Sequence, residues 1–171
     1  SLSGSFTLEA WLQPDGIDES TRVVLGASQA LPEVDGAPYL RVVNGFVETG
    51  FAQVKLATPV SVLESGVWNQ VAVTYDMASA ALTVYVNGAL IVSKTFEGPR
   101  PPGKPICVMS AAAGDALPPF HGGMDEVRVW NAPRTALSPA QSPILRMNTP
   151  YSPALARPSL AVSAPRRLAR F

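Results

Sequence analysis

The sequence predicts an all-β fold, and three observations predict it. Side chains alternate with a period of two through Gly66-Val67-Trp68-Asn69-Gln70-Val71-Ala72-Val73-Thr74-Tyr75-Asp76 and again through Leu82-Thr83-Val84-Tyr85-Val86-Asn87-Gly88. That alternation, rich in β-branched and aromatic residues, is the pattern of paired antiparallel strands. Seventeen prolines and thirteen glycines supply many turns. Apolar residues make up 47% and charged residues 15%, enough to pack an interior and too few charges for a disordered chain. At 171 residues one β-sandwich uses most of the length, so a second core is not expected.

Phe6, Leu8, Ala10 and Leu12 share one face of the first strand, which Pro14-Asp15-Gly16 stops. β-prone pieces follow at 22–27 and 39–43, separated by an exposed loop over 28–36. Asn44-Gly45, between Leu40-Arg41-Val42-Val43 and Phe46-Val47-Glu48, signals a type I′ hairpin. Val71, Val73 and Tyr75 then alternate against Ala72, Thr74 and Asp76, and Met77-Ala78-Ser79-Ala80 makes a turn. Leu82, Val84 and Val86 alternate on the next strand, and Asn87-Gly88 turns the chain into 89–96, completing a three-strand meander. Gly98-Pro99-Arg100-Pro101-Pro102-Gly103-Lys104-Pro105 lacks the N–H donors of a ladder and reads as a stiff loop. A strand resumes at 106–110, and 111–119 is a small-residue loop.

The last strand lies in Phe120-His121-Gly122-Gly123-Met124-Asp125-Glu126-Val127-Arg128-Val129-Trp130-Asn131, with Val127 and Val129 facing one way and Arg128 and Trp130 the other. Ser138 as N-cap and Pro139 at the first helical position predict one short helical turn, which Pro143 limits. From Asn148 onward proline recurs too often for helix or sheet. The chain therefore divides into a sandwich over 1–147 and a Pro-, Ala- and Arg-rich extended arm or linker over 148–171.

All thirteen acidic residues and eight of the thirteen basic ones precede Arg146; from Arg146 onward there are five arginines and no acid. A basic arm on an acidic body can dock on that body, on a neighbouring acidic module or on a polyanion, or stay solvated. The acidic body speaks against sequence-specific nucleic-acid recognition. No apolar run of about eighteen residues occurs, so no membrane insertion is expected. The opening Ser1-Leu2-Ser3-Gly4-Ser5 lacks the basic and apolar regions of a secretory signal, which implies prior processing or a longer parent protein. Cys107 is alone in the sequence; it forms no internal disulfide and reads as a buried small hydrophobe.

Three stretches together resemble laminin-G-like domains, the concanavalin A-like family that includes the pentraxins. These are Phe6-Thr7-Leu8-Glu9-Ala10-Trp11, the run from Trp68 through Val71-Ala72-Val73-Thr74-Tyr75-Asp76 to Leu82-Thr83-Val84-Tyr85-Val86-Asn87-Gly88, and Met124-Asp125-Glu126-Val127-Arg128-Val129-Trp130-Asn131. The resemblance covers about residues 5–145 and implies a two-sheet antiparallel jelly-roll sandwich. The strand that precedes Phe6 in that family is missing here. The function it implies is a non-catalytic extracellular or cell-surface recognition and adhesion module that binds glycan or protein through its loops. The alternative is a building block of a larger extracellular surface or fibrous assembly, with the basic arm docking on a neighbouring subunit or domain.

The resemblance also implies one structural calcium ion at Asp125, whose family counterpart binds the metal together with backbone carbonyls. Six to eight oxygens are needed at once, and the alternative is that Asp125 hydrogen-bonds its own loop. Asp15, Asp18 and Glu19 cluster but lack the spacing of an EF-hand and read as solvated turn residues. Trp11, Trp68 and Trp130 suggest a sugar-stacking platform; their strand positions in the family motifs favour core or inter-sheet packing instead. Tyr39, Phe46, Phe51 and His121 are the loop candidates for ligand contact. A glycosidase needs two carboxylates facing across a cleft, whereas Asp125 and Glu126 are neighbours on one strand. His121, the only histidine, has no Gly-x-Ser-x-Gly elbow to serve, so an enzyme is not expected.

Overall fold

The computed structural model describes residues 3–26, 36–98, 101, 107–108 and 117–134. The described residues form β1 (Phe6–Pro14), β2 (Thr21–Gly26), β3 (Tyr39–Val43), β4 (Phe46–Phe51), β5 (Val54–Ala57), β6 (Asn69–Asp76), β7 (Ala81–Val86), β8 (Ala89–Thr95), β9 (Cys107–Val108) and β10 (Gly122–Trp130). They make two five-stranded antiparallel sheets, ordered β10-β1-β6-β7-β8 and β5-β4-β3-β2-β9. This is the jelly-roll sandwich that the strand pattern and the resemblance predict. No helix among the described residues is long and apolar enough to cross a membrane. The helical turn expected at 138–145 and the arm at 148–171 lie outside the described residues, as do the loop at 28–35 and most of 99–116.

Alternation decides what enters the interior. From the first sheet come Phe6, Leu8, Ala10 and Leu12 of β1, Val71, Val73 and Tyr75 of β6, and Leu82, Val84 and Val86 of β7; the second contributes Leu25, Leu40, Val47, Phe51 and Leu56. Phe51 joins the layers: its ring lies 5.7 Å from Phe6 and 4.6 Å from Tyr75, both in edge-to-face contact. Asn44 (φ 48) with Gly45 (φ 76) and Asn87 (φ 51) with Gly88 (φ 79) both adopt the doubly positive φ of type I′ hairpins. Asn87 also donates its side-chain N–H to Asn69 Oδ1 at 3.0 Å and accepts the Gln70 N–H at 2.9 Å, which fixes the β6–β7 register.

The sequence reading missed β5. Val54 and Leu56 alternate with Lys55 and Ala57 as a strand should, but the preceding turn contains Ala52 at φ 48 and no Asn-Gly pair. Three of the four loop candidates also prove to be strand residues. Tyr39 and Phe46 belong to β3 and β4, and Phe51 is a fully buried member of the core. Of the strand expected at 106–110, Cys107 and Val108 pair with Gly26 and Leu25; the Cys107 side chain is outside the described residues.

On the outward face of the second sheet, cross-strand partners Arg41 and Glu48 are both largely buried and ion-paired, and Lys55 reaches Glu48 Oε2 at 2.8 Å from solvent. Glu48→Ala leaves the Arg41 guanidinium buried without that partner and is expected to cost about 3–5 kcal/mol in urea denaturation. Lys55→Ala, at an exposed position, is expected to cost under about 1 kcal/mol. The β6–β7 turn rests on Asp76, whose carboxylate accepts from Ala78 N–H at 3.0 Å and Ser79 Oγ–H at 2.7 Å. The Ser79 hydroxyl, then the Ala78 amide, hold its carboxyl below the ordinary 3.8. A depressed carboxyl stabilises the fold above its unfolded value and loses that contribution as pH falls through the folded one. Asp76→Ala is therefore expected to lower stability by about 1 kcal/mol at neutral pH, with the difference from wild type vanishing in acid melts.

Candidate functional site

The register of β1 sets out a second surface, the outward face of the first sheet. Because Phe6, Leu8, Ala10 and Leu12 point inward, Thr7, Glu9, Trp11 and Gln13 point outward. Their cross-strand partners on β10 are Trp130, Arg128, Asp125 and Gly123, and those on β6 opposite Thr7, Glu9 and Trp11 are Thr74, Ala72 and Gln70. Ala72 in turn faces Tyr85 of β7. Successive rows along this face are one two-residue step, about 7 Å, apart.

All three tryptophans belong to this side of the sheet. Trp68 is 38% exposed and Trp130 39%, Trp11 is partly exposed, and none is in the core cluster, which corrects the packing role expected for them. Trp68 precedes β6 and lays its ring against the backbone of β10 at Gly123. A Cβ at Gly123 would lie 2.9 Å from the ring's Cη2 and Cζ2 atoms, so glycine is what allows this close approach. Gln13, beside it, donates to the Gly66 carbonyl at 2.8 Å. Trp130 is held from both sides, donating its Nε1–H to Glu9 Oε2 at 3.3 Å and carrying the Arg134 guanidinium 4.4 Å from its ring centre. The chain after β10 folds back over the sheet, with the Thr7 hydroxyl donating to the Ala132 carbonyl and accepting the Arg134 N–H.

In the Glu9–Ala72–Tyr85 row of this face lies a shallow pocket lined by Glu9, Gln70, Ala72, Tyr85, Gly88 and Arg134, with room for about one water-sized group. The short side chain of Ala72 makes its floor. Glu9 and Gln70, only 2% and 3% exposed, bring polar atoms to its walls. The sequence reading singled out neither of them, nor Tyr85.

Asp125 is exposed and stands opposite Trp11 beside a β-bulge, where Glu126 takes φ 51. Its Oδ1 accepts the Glu126 N–H at 2.7 Å, and Glu126 itself pairs with Arg128. Among the described residues no three His, Cys, Asp or Glu side chains converge as cation ligands. The described side chains at Asp125 thus do not make up the six to eight oxygens of a calcium site. Asp15 faces His121 at 3.5 Å on the exposed rim, while Asp18 accepts from Ser20 N–H and pairs with Arg22 at 2.6 Å. The Arg22 hydrogen bond, then the Ser20 amide, hold the Asp18 carboxyl below its ordinary value. Asp15 and Asp18 thus have turn and rim partners.

Two antiparallel sheets with an aromatic and polar outward face define a lectin-type β-sandwich. A family model for the concanavalin A-like lectin/glucanases superfamily matches residues 1–140, and the chain belongs to that superfamily. No curated protein matches the sequence significantly. Among solved structures, it is similar to a candidate carbohydrate-binding protein from Bacteroides ovatus, with 23% identity, a TM-score of 0.66, and coverage of 82% of this chain and 41% of that one. It is also similar to the CBM40 module of an IT-sialidase from Ruminococcus gnavus, bound to α2,3-sialyllactose (17% identity, TM-score 0.65, covering 78% and 79%). A third is domain 4 of an extracellular arabinanase from Geobacillus stearothermophilus, in complex with arabinotriose (22% identity, TM-score 0.58, covering 85% and 68%). At these identities the likeness is one of fold.

Proposed function

We propose that the chain is a non-catalytic, extracellular glycan-binding module whose ligand lies on the outward face of the first sheet. The observation that carries this reading is the placement of Trp11, Trp68 and Trp130 on one face, outside the core, with a shallow polar-walled pocket on the same face. Aromatic faces pack on the C–H surface of a sugar ring while neighbouring polar groups bond its hydroxyls. Sugar-bound structures among the similar folds support the reading. Asp125 and Glu126, adjacent on one strand with Glu126 engaged by Arg128, do not form the opposed carboxylate pair of a glycosidase. A glycan array probed with the full chain tests the proposal: binding without turnover is the expected result, and no binding to any glycan overturns it. Melting the protein with and without calcium decides separately whether the metal expected at Asp125 is held.

The charge asymmetry of the sequence favours a second reading, in which the basic arm over 148–171 docks on a neighbouring subunit in a larger assembly. Deleting that arm is then expected to abolish assembly while the sandwich still melts cooperatively; retained assembly removes this reading.

A further inference from the structure

We infer that the pocket over Ala72 is a selectivity subsite that receives one hydroxyl of a neutral sugar lying across this face and rejects carboxylated sugars. The inference rests on the glycan-binding reading of this face and adds the chemical class of the ligand.

The walls of the pocket present one acceptor and one donor that the protein leaves without hydrogen bonds. Glu9 uses Oε2 to accept from Trp130, but its buried Oε1 has no hydrogen-bond partner; Arg134 Nη1 stands 3.6 Å away, at ion-pair rather than hydrogen-bond distance. Gln70 Nε2 is likewise buried and without a partner. Orphaned polar atoms are uncommon in folded interiors and costly to keep, because the desolvation is not repaid. Here two of them line the same pocket.

Their chemistry states what is missing. A carboxylate oxygen only accepts and an amide N–H only donates, so the occupant must donate to one wall and accept from the other. A hydroxyl group does both, and a pocket with room for about one water-sized group admits one hydroxyl of a sugar whose ring stays outside it. A carboxylated sugar brings a second acceptor-only anion toward Glu9, where like charges repel. The nearby cation, Arg134, is already placed between Glu9 and the Trp130 ring. An ammonium group satisfies Glu9 but leaves the Gln70 donor unmet and faces Arg134. Tyr85 and Trp130 add aromatic surface beside the polar pair.

The test uses the full chain and calorimetry on the best neutral glycan of an array, its counterpart with a uronic acid in place of the terminal sugar, and its monodeoxy analogues. Wild type is expected to bind the neutral glycan at least tenfold more tightly than the uronate, and to lose at least tenfold for at least one deoxy analogue. Gln70→Leu is expected to weaken neutral-glycan binding at least tenfold without lowering the melting temperature, since Nε2 bonds nothing in the free protein. Glu9→Gln is expected to narrow the neutral-over-uronate preference. Equal binding of neutral and acidic glycans, or wild-type affinity in Gln70→Leu together with unimpaired binding of every deoxy analogue, overturns the subsite. That last pattern is what a pocket holding only a bridging water gives. Those results leave the glycan-binding reading standing as long as some glycan binds; absence of all glycan binding removes both.

Discussion

Trp68→Ala is expected to weaken glycan binding by about 2 kcal/mol or more, roughly thirtyfold, because aromatic anchors on a binding face typically carry contributions of that size. The ring is 38% exposed and outside the core cluster, so thermal melts should show only a small loss of stability. Gly123→Leu gives the same expectation by a different route. Its side chain occupies the space where Trp68 Cη2 and Cζ2 now lie, pushing the ring off its seat while leaving the tryptophan in the sequence. Loss of binding in both variants, with Val60→Ala at an exposed position unchanged, identifies the oriented ring as the contact. Full affinity in Trp68→Ala excludes Trp68 as an anchor.

The largest stability effect is expected at Phe51. Its ring is fully buried and touches Phe6 and Tyr75 of the opposite sheet, so truncation removes apolar area from both layers and leaves a cavity between them. Phe51→Ala is expected to cost about 3–5 kcal/mol in chemical denaturation, a large fraction of the roughly 5–15 kcal/mol that holds a domain of this kind folded. Phe51→Leu, which retains most of the volume, should lose markedly less. A change below 1 kcal/mol in Phe51→Ala contradicts the central place given to this residue.

Much of the sandwich was legible because strand parity is local. Phe6, Leu8, Ala10 and Leu12, then Val71, Val73 and Tyr75, declare their common face within a few residues, and both Asn-Gly hairpins declare their turns. The same parity already placed Trp11 opposite the apolar row of its strand and Trp130 opposite Val127 and Val129. Reading the tryptophans as core gave their places in the family motifs precedence over this parity, although a large aromatic residue can cover a sheet from outside. Trp68 was harder to read, since its orientation depends on Gly123, 55 positions further along. The burial of Glu9 involves Trp130, 121 residues away, and Arg134 beyond it. No local pattern marks a polar atom that tertiary structure has left without a bond. The turn at Ala52 was hidden because no Asn-Gly pair marks it; Ala52 takes its positive φ while donating its N–H to the Gly36 carbonyl at 2.8 Å, a contact between positions sixteen residues apart.

The pairing of β1 with β10 joins Thr7 to Trp130 and Gln13 to Gly123, and that has a kinetic consequence. A ladder whose partners stand more than a hundred residues apart must close the longest loop in the described structure, and such contacts make folding slow. During synthesis, β6, β7 and β8 can form their meander as they emerge. The strand that seats Trp68 and supplies Trp130 arrives only after nearly all of the sandwich has been made. A nascent or prematurely terminated chain therefore presents apolar strands without a finished recognition surface, and is exposed to misassembly until the last strand docks.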